Sequence, residues 1–118
     1  MTDQVSWLLE LAVKPRELDN AKAVLAEMVE SAREEHGALI YQWSISTDGS
    51  AIHIFERYAD SAAVMMHLTT FGEKFAQRFL ATVDPTRFVV YGEPNQEAKA
   101  ALTAFGPAYM TPMGGFGG

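Results

Sequence analysis

Acid-base chemistry in this sequence would depend on histidine and carboxylate side chains, and His67 is the leading candidate. Val64 stands three residues before it and Phe71 four residues after it, so the three side chains share one face of a predicted helix. That face is apolar and should be turned toward a sheet. A neutral imidazole with a pKa near neutrality is the usual general base at physiological pH, particularly in a pocket that holds an acidic phenol. The alternative is a structural histidine whose ring is satisfied by a neighbouring carboxylate, most simply that of Glu56.

Two acidic residues, Glu10 and Glu56, interrupt strand-like runs that are otherwise apolar. An unpaired carboxylate is costly to bury, so each must reach solvent at a strand end or pair with a partner such as His67, Arg57 or Arg87. The aromatic residues of the same runs are core residues in the simpler interpretation. They also permit an apolar chamber with a few polar groups, which is the usual composition of a small-molecule site. These aromatic residues are Trp7, Tyr41, Trp43 and Phe55.

Composition excludes several classes of site. The chain has 118 residues, no cysteine and a net charge of -6, so thiolate nucleophiles and disulfides are excluded, and the basic surface that attracts nucleic acid or anionic lipid is missing. None of the motifs G-x-G-x-x-G, G-x-x-x-x-G-K-[ST], H-E-x-x-H and G-x-S-x-G occurs. His36, His53 and His67 are too far apart along the chain for one helix to present two metal ligands, so we expect no metal site.

The N-terminal stretch does not have the pattern of a targeting segment. It is acidic where a signal peptide is basic, and its apolar run is interrupted by Glu10. No run in the chain reaches the roughly 18 apolar residues of a spanning helix. Because an absence of cysteine also suits a reducing compartment, we expect a cytoplasmic protein with no membrane partner.

The order of the predicted elements is β-α-β-β-α-β. A tight hairpin at Asp48-Gly49, where positive φ angles are tolerated, joins the two central strands. This order is the split βαβ pattern of ferredoxin-like folds, and it predicts an α+β sandwich of one four-stranded antiparallel sheet with two helices on one face. The strands are predicted over residues 5–13, 38–46, 51–59 and 86–92, and the helices over about 21–32 and 62–83. The residues that set the helix boundaries are Asp19 as N-cap and Gly37 as C′ residue of the first helix, Asp60 or Ser61 as N-cap of the second, and Gly72 as the point where the second bends or divides.

The predicted strands are apolar on both faces. In the first strand Trp7, Leu9 and Leu11 alternate with Leu8 and Ala12, whereas a half-solvated antiparallel strand alternates apolar with polar residues. Two helices can cover only one face of the sheet, so a second copy of the sheet is the simplest cover for the other. We predict a homodimer whose sheets lie face to face around an enclosed space.

The C-terminal part differs in composition from the rest, and we place a boundary after residue 94. Residues 1–94 form the predicted ferredoxin-like domain, and residues 95–118 form a C-terminal extension of a short helix and a glycine-rich tail. Five of the nine glycines lie in residues 106–118, which is typical of a flexible terminus. The alternative is that large apolar side chains dock the tail onto a partner subunit or over a cavity mouth. These side chains belong to Tyr109, Met110, Met113 and Phe116.

Two segments resemble a known family. Residues 35–41, EHGALIY, resemble the E-x-G-x-x-x-Y junction between the first helix and second strand of the antibiotic biosynthesis monooxygenase domain family. Residues 55–60, FERYAD, followed by His67, resemble the third strand of that family and the histidine of its next helix. The resemblance covers roughly residues 5–92. It implies a ferredoxin-like fold that pairs through its sheets into a dimeric α/β barrel.

The resemblance also implies a chemistry. Some members of the family oxygenate phenols, naphthoquinols or anthrones with O2 and without flavin, haem or metal, because the deprotonated substrate supplies the electrons. By resemblance, His67 is the catalytic base or hydrogen-bonding residue and Glu56 is the group that orients it. Tyr41, Trp43 and Phe71 are the walls of the substrate pocket. Haem-degrading relatives use an asparagine in the first strand, which this sequence does not have.

Two functions remain open at the level of the sequence. The first is a cofactor-independent monooxygenase that oxidises a quinol- or phenol-like aromatic molecule. The second is a non-catalytic dimeric barrel that binds a small apolar ligand or serves as an association module. Folds of this type host many unrelated activities, so the fold itself favours neither function.

Overall fold

The computed structural model of the protein describes residues 3–117. Its elements follow the order βαββααβαβ. Within that range, no helix is both long enough and apolar enough to cross a membrane. The strands are β1 (Val5–Val13), β2 (Ala38–Ile45), β3 (Ala51–Tyr58), β4 (Val83–Gly92) and β5 (Ala108–Met110), and the helices are α1 (Leu18–Arg33), α2 (Ser61–Lys74), α3 (Ala76–Leu80) and α4 (Gln96–Thr103).

The five strands form one sheet in the order β2-β3-β1-β4-β5. The first four pair antiparallel, but β5 pairs parallel to β4. The predicted four-stranded antiparallel sheet is therefore wrong in this detail: the α+β ferredoxin-like architecture carries a mixed, five-stranded sheet. The tail adds its strand because Tyr109 packs on the apolar core beside β4 and its hydroxyl donates to the carbonyl of Lys99, which covers an otherwise free sheet edge.

The boundaries of α1 differ from the predicted ones. The helix begins at Leu18 without a side-chain cap, so Asp19 lies inside its first turn, where a carboxylate still favours the helix dipole. It ends at Arg33, and Gly37 is therefore not its C′ residue. A Cβ at Gly37 would collide with the Cβ of Ala63, so the glycine instead allows α2 to approach the start of β2 closely.

The second predicted helix is divided, but not at Gly72. Its two parts, α2 and α3, meet at Phe75, whose φ of -126° leaves the helical range. The predicted N-cap at Asp60 is confirmed, because its carboxylate accepts a hydrogen bond of 2.9 Å from the backbone N–H of Ala63. The short helix predicted near the C-terminus is present as α4, with Asn95 as its N-cap.

The helices α1 to α4 of the described part of the chain pack on one face of the sheet, where they form two apolar clusters. One joins α1 and α3 to the end of β1 that contains Leu11, and the other joins α2 and α4 to the end that contains Val5. Leu9, at the middle of β1, packs against both clusters. The helix-covered face therefore has two centres of packing with a space between them, and the functional site is found in this space.

Within residues 3–117, no helix packs on the other face of the sheet. Strand register places Leu8 beside Phe55 on this face, together with polar residues such as Glu10 and His53. Glu10 contacts Arg87 at 3.5 Å and His53 at 3.8 Å, which gives this carboxylate the partners that its strand position requires. The bare face is thus mixed in polarity rather than uniformly apolar.

Candidate active site

A cavity of about 290 Å³ lies between the sheet and the helices. This volume is near the lower end of the range for small-molecule sites. Its walls are mostly apolar and aromatic, and among the described residues that line it the polar side-chain groups belong to Tyr41, Glu56, His67 and the indole of Trp7. The apolar walls are formed by Trp7, Leu9, Met28, Ile54, Leu68, Phe71, Phe79, Leu80, Pro85, Phe88, Ala104 and Phe105.

The polar end of the cavity is a buried chain of paired groups. Nδ1 of His67 lies 3.2 Å from both carboxylate oxygens of Glu35, and Nε2 lies 3.2 Å from Oε1 of Glu56. The same Oε1 accepts a 2.6 Å hydrogen bond from the hydroxyl of Tyr58. His67 and Glu56 are only 8% and 3% exposed, so these pairs are made largely away from water. Each ring nitrogen of His67 therefore has a carboxylate partner.

Local structure explains why these groups meet. Antiparallel register sets Glu56 of β3 between Trp7 of β1 and Tyr41 of β2, so all three side chains point to the helix-covered face. His67 is buried in the middle of α2. Glu35 lies in the turn after α1, where the close approach at Gly37 brings that turn toward α2.

The two carboxylates decide the charge of His67. Burial of the ring lowers its pKa, but the hydrogen bonds and charges of Glu35 and Glu56 outweigh burial and raise the pKa to about 9. The expectation of a ring that is neutral at physiological pH is therefore wrong. This pKa favours an imidazolium at pH 7 that donates from both nitrogens, and Glu56, the carboxylate expected from the sequence as a partner, lies within 3.2 Å of Nε2.

Two tyrosines next to this pair are held in their neutral form. Burial, followed by the negative charge of Glu56, raises the pKa of Tyr41 well above its usual range, and the same two causes raise that of Tyr58. Tyr58 donates its hydrogen bond to Glu56, whereas Tyr41 faces the cavity. Neither phenol would act as a base at physiological pH.

The structure brings four of the five predicted site residues together at the cavity: His67, Glu56, Tyr41 and Phe71 line it. The fifth, Trp43, is not among the lining residues. Its ring packs edge-on against Phe79, with centroids 6.1 Å apart, as part of the core around α1 and α3. The pocket-wall interpretation of Trp43 is therefore corrected. Tyr41 and Trp43 share a face of β2, but Trp43 pairs with Ile54, a core residue, whereas Tyr41 pairs with Glu56 at the cavity.

Sequence reasoning missed Glu35 as a site residue, although it belongs to the segment that carries the family resemblance. No periodic pattern identifies it, because it lies in a turn and reaches His67 only through the fold. The aromatic residues Phe79, Phe88 and Phe105 were also missed as cavity walls. Among residues 3–117, no group of three or more histidine and carboxylate side chains is arranged to hold a metal ion.

Comparisons with known proteins agree with this architecture. The family model for antibiotic biosynthesis monooxygenase matches residues 5–75. No curated protein matches the sequence. Among solved structures, MupZ from Pseudomonas fluorescens superposes with a TM-score of 0.85 at 22% identity, covering 99% of this chain and 91% of that chain.

Two further solved structures share the fold at lower similarity. SnoaB from Streptomyces nogalater, a cofactor-independent oxygenase, superposes with a TM-score of 0.68 at 13% identity, covering 80% of this chain and 97% of that chain. Rv0793 from Mycobacterium tuberculosis superposes with a TM-score of 0.61 at 22% identity, covering 79% of this chain and 97% of that chain. At these identities the likeness shows the fold alone.

Proposed function

Since this chain belongs to the antibiotic biosynthesis monooxygenase family, whose model matches residues 5–75, we propose that it oxygenates a phenol- or quinol-like aromatic molecule with O2 and without flavin, haem or metal. The observation that carries the proposal is the imidazole of His67, held between Glu35 and Glu56 at the polar end of an otherwise apolar cavity. The apolar walls would hold an aromatic ring away from water, and the polar end would receive its hydroxyl proton.

The proposed reaction needs no redox group from the protein. A phenol gives its hydroxyl proton to the site, and the phenolate passes one electron to O2. The phenoxyl and superoxide radicals then combine through a new carbon–oxygen bond, and the protonated hydroperoxide loses water to leave a quinone. In sum, phenol and O2 give quinone and water, so the substrate supplies all the electrons that reduce O2. The protein contributes orientation, exclusion of water and proton transfer.

Glu56 and His67 would share the proton transfer. Both hydrogen bonds that the described residues direct to Glu56 end at Oε1, so Oε2 is left to accept a proton from a phenol in the cavity. Glu56 would pass that proton to Nε2 of His67 whenever the ring is neutral. Because a phenol has a pKa near 10 and His67 a pKa of about 9, donor and final acceptor are closely matched. Glu35 would act as a positioning residue that holds Nδ1.

Oxygen uptake tests the proposal directly. A panel of hydroquinones and naphthols is given to the wild type, to His67→Gln and to His36→Gln, whose histidine is exposed between α1 and β2. Near pH 9, where the His67 ring becomes neutral, we expect His67→Gln to lower the turnover rate by about 10²- to 10⁴-fold, the usual contribution of a general base. His36→Gln should keep the wild-type rate. Equal background rates for all three proteins would refute the proposal.

Passive binding of a small apolar ligand is the competing function. It would use the same cavity but leave the paired charges at its polar end without a chemical role. The match to the antibiotic biosynthesis monooxygenase family over residues 5–75 supports oxygenation instead. Binding alone would be indicated if ligands raise the melting temperature while no oxidised product forms.

We also propose that the protein works as a homodimer in the cytoplasm, with the bare sheet faces in contact. The support is the row of incompletely covered apolar side chains on that face, which includes Leu8, Phe55 and Tyr91. Apolar surface of this kind is usually covered by a partner. Sedimentation at micromolar concentration should give the mass of two chains, and a stable monomer would contradict this assembly.

A further inference from the structure

The cavity is built from two parts of the chain that contribute different chemistry. Among the described residues that line it, those with polar side-chain groups are Trp7, Tyr41, Glu56 and His67, and all four lie within residues 5–75, which match the family model. The rest of the chain supplies apolar wall alone: Phe79, Leu80, Pro85, Phe88, Ala104 and Phe105. Residues 5–75 thus supply the polar groups of the cavity, whereas the residues after them complete its apolar walls.

Phe105 is the last of these wall residues along the chain, and we call the part of the cavity that it borders the mouth, because Phe105 is half exposed to solvent. Its ring meets Phe71 and Phe88 edge-on, with centroids 6.5 Å and 6.3 Å away. It is 49% exposed, so part of the ring faces solvent while part borders the cavity. Phe71 is four residues after His67 on α2, which is about one helical turn or 5.4 Å. A ligand that extends from the polar end past Phe71 therefore approaches Phe105.

The fold holds Phe105 on both sides. Before it, α4 is fixed by Leu102, whose side chain is fully buried in the core beside α2. After it, Gly106 adopts a φ of 67°, a conformation that favours glycine, and turns the chain back toward β5. The Tyr109 ring then packs on the same core. Phe105 is thus a positioned residue rather than part of a free tail.

We propose that Phe105 is a specificity-determining residue that limits the length of the aromatic body accepted by the site. This inference deepens the proposed function: the ligand is an aromatic alcohol whose hydroxyl lies at Glu56 and whose rings extend past Phe71 until they meet Phe105. Removing the Phe105 ring lengthens the space without touching the polar end. Larger ring systems should gain affinity relative to small ones, whereas a larger side chain at this position should shift the preference toward small ones.

Ligand displacement measures this preference without depending on turnover. The apolar fluorescent probe N-phenyl-1-naphthylamine is displaced by phenol, 1-naphthol and 9-phenanthrol from the wild type, Phe105→Ala, Phe105→Trp and Phe116→Ala. Phe116 is the matched control, because it is a phenylalanine of the same segment that is fully exposed. We expect Phe105→Ala to raise the affinity for 9-phenanthrol relative to phenol by roughly tenfold. Phe105→Trp should change the ratio in the opposite direction, and Phe116→Ala should stay within about twofold of the wild type.

The outcomes separate this inference from the oxygenase proposal. If the wild type binds the phenols but all variants keep its order of affinities, Phe105 does not set specificity, and the proposed function stands. If the order changes as expected but no protein consumes O2 with any of the phenols, the oxygenase proposal fails, and the role of Phe105 in selection stands. If the wild type binds none of the three phenols, both proposals are overturned.

Discussion

The two ends of the cavity are built on different physical principles. At the polar end, His67, Glu56 and Tyr58 are buried and Glu35 is partly buried, and short polar contacts join Tyr58 to Glu56, Glu56 to His67 and His67 to Glu35. At the mouth, Phe105 is half exposed and its ring packs against the rings of Phe71 and Phe88. Removing one member of a buried polar network leaves charges unsatisfied, whereas removing one apolar wall mainly changes the available space. The comparison predicts that chemistry and stability depend on the first end, and ligand choice on the second.

The largest expected effect on stability follows from Glu56→Ala. This change removes the acceptor of both Tyr58 and His67 and leaves a buried imidazolium with one of its two partners missing. Breaking a buried pair from one side costs about 3–5 kcal/mol. Urea unfolding should show this loss, whereas Glu30→Ala, whose carboxylate is exposed on α1, should change the unfolding free energy by less than about 1 kcal/mol. Similar values for the two variants would contradict the buried network.

The protonation of His67 gives the next largest effect. The native pKa of about 9 lies above the unfolded value of 6.5. The stability that this group contributes is therefore fully present below pH 6.5 and is lost as pH rises through 9. At about 1.4 kcal/mol per pKa unit, the loss amounts to roughly 3 kcal/mol. NMR titration of the imidazole should give a midpoint near 9, and Glu35→Gln should lower it because one of the two carboxylates loses its charge.

The pH dependence of the unfolding free energy should follow the same group. His67→Gln should flatten the decline between pH 7 and pH 10 that we expect for the wild type. An identical decline in both proteins would assign the effect to other groups. A midpoint near 6.5 in the NMR titration would show that the carboxylates do not hold the imidazolium.

A smaller change in stability tests whether Gly37 is needed to bring Glu35 close to α2. A Cβ at Gly37 meets Ala63, whereas a Cβ at Gly72 meets nothing within 4 Å. Gly37→Ala should therefore destabilise the protein by about 1–3 kcal/mol through overpacking. Gly72→Ala should stabilise it by about 0.5–1 kcal/mol, because alanine favours the helix. Thermal unfolding should show a lower melting temperature for Gly37→Ala and a higher one for Gly72→Ala. Equal shifts for the two variants would contradict a close approach of α2 at Gly37.

The sequence was sufficient to predict the strands and helices at the centre of the fold. It was also sufficient to predict two of the four residues at the polar end, His67 and Glu56. The helical stripe around His67 and the isolated carboxylate of Glu56 in an apolar strand both indicate groups that point into the same layer. Tertiary structure then brings them together through the pairing of β3 with its neighbours. Short-range periodicity was sufficient here because both residues lie in regular elements.

The remaining features depend on contacts that periodicity does not encode. Glu35 lies in a turn, and its distance to His67 is set by the packing of α1 and α2. The pKa of His67 could not be predicted without that second carboxylate. Trp43 is an aromatic residue of the kind that lines pockets, but its side chain packs against the core. The three residues of β5 lie in a glycine-rich segment where no alternation is long enough to indicate a strand.

The central claim is that the polar end of the cavity receives a proton from a bound phenol through Glu56 and His67. The most direct test is the pH profile of catalysed O2 uptake, corrected for the rate without protein, for the wild type and His67→Gln. We expect the wild-type rate to rise about tenfold per pH unit and to level off near pH 9, where the ring becomes neutral. His67→Gln should show neither the rise nor the plateau. The same profile in both proteins, or a wild-type rate that levels off near pH 6.5, would contradict it.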